Sequence, residues 1–283
     1  MKLHQIPSLP RISADNLSKW LAEGQSPLVV TEMMAGWPAM ETWNFDWFAR
    51  HFGDFPVEAH APQFPPLAHC AVSTTLSNYL AYLANPVNID ASWIKGSLDR
   101  LLASTHTLYA GNFNPAHPVH GRPELVFEHV PAKPDFIESW LDLLEPEFRA
   151  AACRVQSHHF VYLSIAGGIT PLHHDFWDTH AFLAQVRGMK RAVLFAPAHM
   201  DRLYRHPTRD LPEIMADPAF ADVAGWEAIL EPGHLLVIPS QWLHWVETLT
   251  PSITYSMDWI DASNWRSYVK LGTEMLRELD LWR

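Results

Sequence analysis

The apolar positions of this chain change rhythm about halfway along it. In the first part they recur at helical spacing, and helix-start residues mark where each run begins. Ser13 can accept hydrogen bonds from the free N–H groups of a helix from about Ala14 to Glu23, which Gly24 closes. Asn44 does the same for a helix from Phe45 to about Phe52, closed by Gly53, and a third helix is predicted near Ser77 to Leu83. Prolines at 62, 65 and 66, and again at 115, 118, 123, 131 and 134, mark Ala61 to Leu67 and Asn114 to Lys133 as loops. Loops of such length in a compact protein often border a site. From Phe160 to Ile260, short runs rich in Val, Ile, Phe, Tyr and Trp alternate with Gly and Pro turns, which predicts a β-barrel or sandwich. A last helix, from about Ser263 to Leu279, carries Trp265, Val269, Leu276 and Leu279, an apolar set that could pack on the barrel or form a homodimer contact. The chain shows no internal repeat and no low-complexity tract.

Composition narrows the class. At 283 residues and 48% hydrophobic content, with 13 Trp and 14 Phe, the chain can bury one large core, and disorder is excluded. The expectation is one domain: a helix-rich elaboration over residues 1–150, a barrel core over 151–262 and a terminal helix over 263–283. No apolar run approaches the ~20 residues of a membrane-spanning helix, and the start, Met1 to Pro7, lacks a signal-peptide apolar stretch. Two cysteines, Cys70 and Cys153, make no disulfide framework, so a reducing cytoplasm is the expected compartment. A formal net charge of −11 argues against DNA or nonspecific nucleic-acid binding, which needs clustered Lys and Arg.

The candidate chemistry lies in Thr170-Pro171-Leu172-His173-His174-Asp175 and, far downstream, in Pro239 to Val246, which carries His244. Two imidazoles and a carboxylate on separate strands make a facial triad able to hold Fe(II) on three corners while three stay open. In a strand His173 and Asp175 share a face and His174 points away. With 17 His in the chain, about one His-x-Asp triplet is expected by chance, and a second occurs at His199-Met200-Asp201. That one follows a finished strand and leads into polar sequence, so it reads as a solvated loop. Of Lys190 and Arg191, which alternate along a predicted strand, one must face the interior, where a buried cation requires an anion.

These segments resemble a known family, the JmjC-type cupin oxygenases that use Fe(II) and 2-oxoglutarate, and most closely the small hydroxylase branch that includes the asparaginyl hydroxylase acting on hypoxia-inducible factor. The likeness runs through Pro27 to Val30, Gly36 to Ala39, Trp43 to Phe48 with Phe52-Gly53, Thr170 to Asp175, Ala184 to Arg191, Glu231 to His234 and Pro239 to Val246. The resemblance implies a mainly β fold, a double-stranded β-helix (jelly-roll or cupin) barrel with an N-terminal α/β elaboration and a C-terminal helix. It implies Fe(II) on His173, Asp175 and His244, and 2-oxoglutarate held by Lys190, Thr170 and Tyr109, with O2 as the second cosubstrate. It further implies decarboxylation to succinate and CO2 coupled to C–H hydroxylation. Where the asparaginyl hydroxylase has an asparagine near the metal-bound carboxylate, this chain has Asp258.

Within the insertion Phe176 to His180, longer here than in the asparaginyl hydroxylase, His180 has two readings, a lining residue of the substrate mouth or an ordinary solvent-facing or hydrogen-bonded histidine. The other scattered histidines read as solvent-facing or hydrogen-bonded, and Trp242 and Trp245 as packing for the His244 strand. The Asn114–Lys133 segment and this insertion suggest a broad mouth suited to a protein or peptide substrate, with a small molecule or tRNA as alternatives. Two other readings stay open: a catalytically silent cupin that binds a ligand or partner, and a metal-dependent cupin enzyme that does not use 2-oxoglutarate.

Overall fold

A computed structural model gives the fold and describes residues 1–24, 26–60, 71–85, 94–95, 110, 113–155, 157–206 and 210–281. Tyr109, Cys70 and the predicted loop Ala61 to Leu67 lie outside the described residues.

Two facing sheets form the jelly roll. One has the strand order β1 (Lys2–Gln5), β11 (Ala224–Leu230), β10 (Lys190–Phe195), β13 (Leu243–Thr248), β8 (Ile169–His173). The other runs β2 (Ser8–Leu9), β3 (Leu28–Val30), β12 (Leu235–Ile238), β9 (His180–Arg187), β14 (Ser252–Trp259), β7 (His159–Ser164). Within the barrel segment the pairings are antiparallel, while β1 and β2, which the hydropathy pattern did not mark, extend the sheets in parallel. A third sheet of β4 (Pro56–His60), β5 (Ala71–Thr75) and β6 (Ile94–Lys95) belongs to the N-terminal elaboration.

Burial explains why the barrel strands read as continuous apolar runs rather than clean alternations. Ala181, Leu183, Ala192, Leu194, Leu236, Ile238 and Val246 meet between the sheets. The intervening residues of β9 and β14, Phe182, Ala184, Val186, Tyr255 and Trp259, pack outward against Trp43, Phe48 and Tyr79 of the elaboration. A sheet covered on both faces loses the period-two signal. On the other outer face, Val193, Phe195, Leu243 and Trp245 pack against Leu203, Leu211 and Ile214.

The predicted helices are present with small shifts. Ala14–Ala22 is capped by Ser13, whose hydroxyl accepts from Asn16 N at 3.3 Å, and Phe45–Phe52 by Asn44, which accepts from Trp47 N at 2.8 Å. Gly24 ends the first in the left-handed region (φ 66°), as expected; Gly53 does not (φ −53°). Gly53 is required for space instead, because a Cβ there would strike Ala49 O and Ser77 Oγ. The third helix is Leu76–Ala84, capped by Thr75, and the last is Trp265–Glu278. The Asn114–Lys133 segment is mostly turns but holds a short helix, Pro123–Phe127. His199-Met200-Asp201 is not a loop: it closes a 3-10 turn and opens the helix Met200–Tyr204, because Leu203 is drawn into the core over the five-stranded sheet.

The C-terminal helix spends its apolar face within the chain, where Tyr268 and Leu276 pack with Phe148, Ala152, Trp177 and Ile260. Among the described residues, no helix is long and apolar enough to cross a membrane.

Candidate metal and cosubstrate site

One mouth of the barrel holds the predicted triad. Among the described residues, His173, Asp175 and His244 form the group of three metal-type ligands whose donor atoms all lie within 4.8 Å of one another. Asp175 Oδ1 stands 3.9 Å from His173 Nε2 and 3.7 Å from His244 Nε2, separations that one ion can bridge. The two rings lie 4.1 Å apart at 57°.

Two local devices aim these side chains. His173 Nδ1 donates to Pro171 O at 2.8 Å and His244 Nδ1 to Trp242 O at 3.1 Å. A carbonyl can only accept, so each proton sits on Nδ1 and each Nε2 lone pair faces the site, which is the arrangement a metal-bound imidazole requires. Desolvation, then the neighbouring His244, lowers His173 to about 4 and keeps it a neutral donor. The second device is a β-bulge: His244 pairs with His173 but Val246 pairs with Thr170, so β8 carries one extra residue. Strict alternation from Thr170 would turn His173 outward; the bulge at Pro171-Leu172 lets both face the cavity while Leu172 is buried outside it. Pro171 fits there because its missing N–H takes a place where the ladder is already broken.

Asp175 departs from the simplest expectation, since β8 ends at His173 and Asp175 lies beyond it. The following turn reverses direction through Trp177 (φ 88°) and Asp178 (φ 53°), and Gln241, before β13, is also left-handed (φ 65°). Such conformations cost on the order of 1–3 kcal/mol each for non-glycine residues and persist only where the surroundings impose them. His174 is not in the triad: its ring donates to Asp175 O at 3.0 Å and its N–H to the Tyr204 hydroxyl at 3.0 Å.

The triad opens into a cavity of about 630 Å³ whose wall includes Thr170, Lys190, Tyr162, Asn114, Phe176, Ser256 and Asp258. The ambiguity between Lys190 and Arg191 is resolved by the register. Lys190 is buried, with its Nζ 5.4 Å from the Tyr162 ring centroid, and desolvation lowers it to about 7. Arg191 faces the other side and pairs with Glu227 at 2.9 Å. Apolar Phe160, Leu183, Ile238 and Val246 complete the lining.

Other expectations change. His180 is buried away from the cavity, with Nδ1 accepting from Ser240 N at 2.9 Å and Nε2 donating to Ser263 Oγ at 2.9 Å. Its place at the start of β9 and those two partners make it structural rather than part of the mouth. Of the 176–180 insertion, Phe176 reaches the cavity and stays exposed, whereas Trp177 is buried against the C-terminal helix. Of the 114–133 segment, Asn114 and His117 reach it. Trp242 and Trp245 pack as expected. Asp258 lines the cavity and its backbone N–H donates to His158 O at 2.8 Å. The expectation that the Asn114–Lys133 segment borders the site holds for Asn114 and His117, whereas Tyr162 and Ser256 carried no signal in the sequence.

Comparison with known proteins agrees with this geometry. A model of the cupin-like domain matches residues 14–264. The chain belongs to the cupin-like domain family. It is 26% identical over 297 residues to the Arabidopsis thaliana arginine-specific demethylase JMJ20, covering 93% of this chain and 60% of the relative. It is 26% identical over 278 residues to the human 2-oxoglutarate and iron-dependent oxygenase JMJD4, covering 88% and 60%. Against the Gallus gallus tRNA wybutosine-synthesizing protein 5 it is 24% identical over 249 residues, covering 85% and 72%. The chain thus spans about 60% of the length of the first two of these relatives. The match carries the family as a whole and does not single out the asparaginyl hydroxylase branch.

Proposed function

We propose that the protein is an Fe(II)- and 2-oxoglutarate-dependent oxygenase that hydroxylates a C–H bond, with a polypeptide side chain as the prime substrate. The observation that carries this reading is one cavity with two complementary ends: two imidazoles and a carboxylate at the mouth, and a buried lysine farther in. The donor set of two nitrogens and one oxygen suits Fe(II) and leaves room for further ligands. Bound there, iron supplies the oxygen activation by which R–H, O2 and 2-oxoglutarate become R–OH, succinate and CO2.

The chain's own residues do the rest. Lys190 binds the distal carboxylate of the cosubstrate, with the Thr170 hydroxyl beside it, and the apolar wall excludes water so that this ion pair is little screened. Tyr109, outside the described residues, is proposed as a third contact. Asp258 lines the same cavity. A target side chain that brings hydrogen-bond donors or positive charge suits a lining that includes Asp258. Of the relatives, one is named an arginine-specific demethylase and one a tRNA wybutosine-synthesizing protein. The net charge of −11 favours a polypeptide over a polyanion. A silent cupin would not need the three ligand-type side chains and the buried lysine together, and a metal-dependent cupin without 2-oxoglutarate would not need Lys190.

The test is turnover. Iron-loaded protein with ascorbate should convert 2-oxoglutarate to succinate, His244→Ala should abolish the conversion, and His199→Ala should leave it intact. Equal rates in the two variants, or no succinate from the wild type, would remove the oxygenase reading.

A further inference from the structure

We infer that Asp178 is the positioning residue that sets the spacing between the Asp175 and His244 ligands, by tying the strained turn that carries Asp175 to the strained turn that leads into the His244 strand and to the C-terminal helix. This rests on the reading of the triad as a metal centre.

Asp175 sits on a segment that no strand or helix holds, and His244 is the second residue of β13, directly after a turn. Asp175 lies past the end of β8 and precedes the left-handed Trp177 and Asp178; His244 follows a turn containing the left-handed Gln241. A cavity of about 560 Å³ lies behind the two turns, bordered by His174, Asp178, Met200, Gln241 and Leu271, so on that side there is open space into which they could relax.

Asp178 closes this gap with polar groups at both ends of the residue. Its carboxylate Oδ2 accepts from Gln241 Nε2 at 3.0 Å and from the Ser267 hydroxyl. Its carbonyl accepts from Ser240 Oγ at 2.6 Å and Asn264 Nδ2 at 3.0 Å, and its N–H donates to Asp175 O at 3.3 Å. One buried residue therefore joins the Asp175 turn to two consecutive residues of the His244 turn and to two residues at the start of the helix Trp265–Glu278. Hydrogen bonds to a carboxylate are the stronger kind, and sites of this sort depend on such outer partners to fix their ligands. Loss of the Asp178 carboxylate should leave the imidazoles chemically intact but let Asp175 drift from His244.

Cobalt(II) reads this directly, because its visible absorption reports ligand geometry and its titration reports affinity, without turnover. Wild-type protein should bind one Co(II). Asp178→Ala should bind it at least tenfold more weakly with an altered visible band, and Ser267→Ala, which removes a single donor, should weaken it about threefold. Ser252→Ala, which removes a buried hydrogen bond to Gln185 elsewhere on β14, serves as the control for stability loss alone and should leave both readouts unchanged. Should Asp178→Ala fail to fold, Ser267→Ala decides. Wild-type affinity and spectrum in the folded variants, or an equal loss in Ser252→Ala, overturns the assignment while the metal centre stands; absence of Co(II) binding by the wild type overturns both.

Discussion

Lys190 shows how much one residue can impose. Its folded-state pKa of about 7 lies below the ordinary value of 10.5 because burial penalises the charged form. Between those values the unfolded chain holds more protons than the folded one, so the ligand-free fold gains stability as pH rises through that window and is weakest below it. Binding of a carboxylate reverses the preference and charges the lysine. Calorimetry of 2-oxoglutarate binding at about pH 8.5, in buffers of different ionisation enthalpy, should therefore show uptake of close to one proton. Lys190→Ala should abolish the uptake and weaken binding by about 2–4 kcal/mol, with metal affinity unchanged. Binding without proton uptake would place the anion elsewhere. The residue types at this site were legible in the chain, since an inward cation on a barrel strand requires a partner. Which of Lys190 and Arg191 points inward was not, because alternation alone allows either.

Elements show the same division. Helix starts at Ser13 and Asn44 could be read because a cap is a local interaction between residues three apart. The helices at 200–204 and 211–216 could not, because their short apolar sets gain their energy from a sheet surface supplied by strands distant in sequence. Within the C-terminal helix, Gly272 is a position where local preference and packing oppose each other. Alanine would add about 1 kcal/mol of helix propensity. Yet its Cβ would come 2.9 Å from Phe148 Cζ and 3.3 Å from Trp177 Cζ3, and overpacking of this kind costs about 1–3 kcal/mol. Gly272→Ala is expected to lower the melting temperature by roughly 2–4 °C. A higher melting temperature would mean that the two rings yield at little cost.

For the whole molecule, the question is what enters the cavity. Its walls combine Lys190 deep inside with Asp175 and Asp258 among the polar groups, in a chain whose formal net charge is −11. Long-range attraction of a polyanion is therefore unfavourable, and that of a basic peptide favourable and weakened by salt. Incubation of iron-loaded protein with 2-oxoglutarate and a basic peptide pool should add one oxygen to a peptide, with a yield that falls as ionic strength rises. If tRNA alone gains oxygen, the polypeptide substrate is wrong and the iron chemistry survives.

The amino-acid sequence determined the barrel class and the capped helices, because these rest on residue type and local periodicity, and it marked His173, Asp175 and His244 as a candidate ligand set, with one of Lys190 and Arg191 facing inward. Tertiary structure alone decided how they meet. The bulge at Pro171-Leu172 exists because β8 must pair with β13 while presenting both Thr170 and His173 to one cavity. Phe176 stays at the mouth while Trp177, Asp178 and His180 turn into the protein, since their partners, Tyr268, Ser267, Ser240 and Ser263, arrive from segments 60 or more residues away. No local pattern encodes such contacts, because their energy comes from burial and hydrogen bonds that exist only after the two sheets and the last helix have closed around the site.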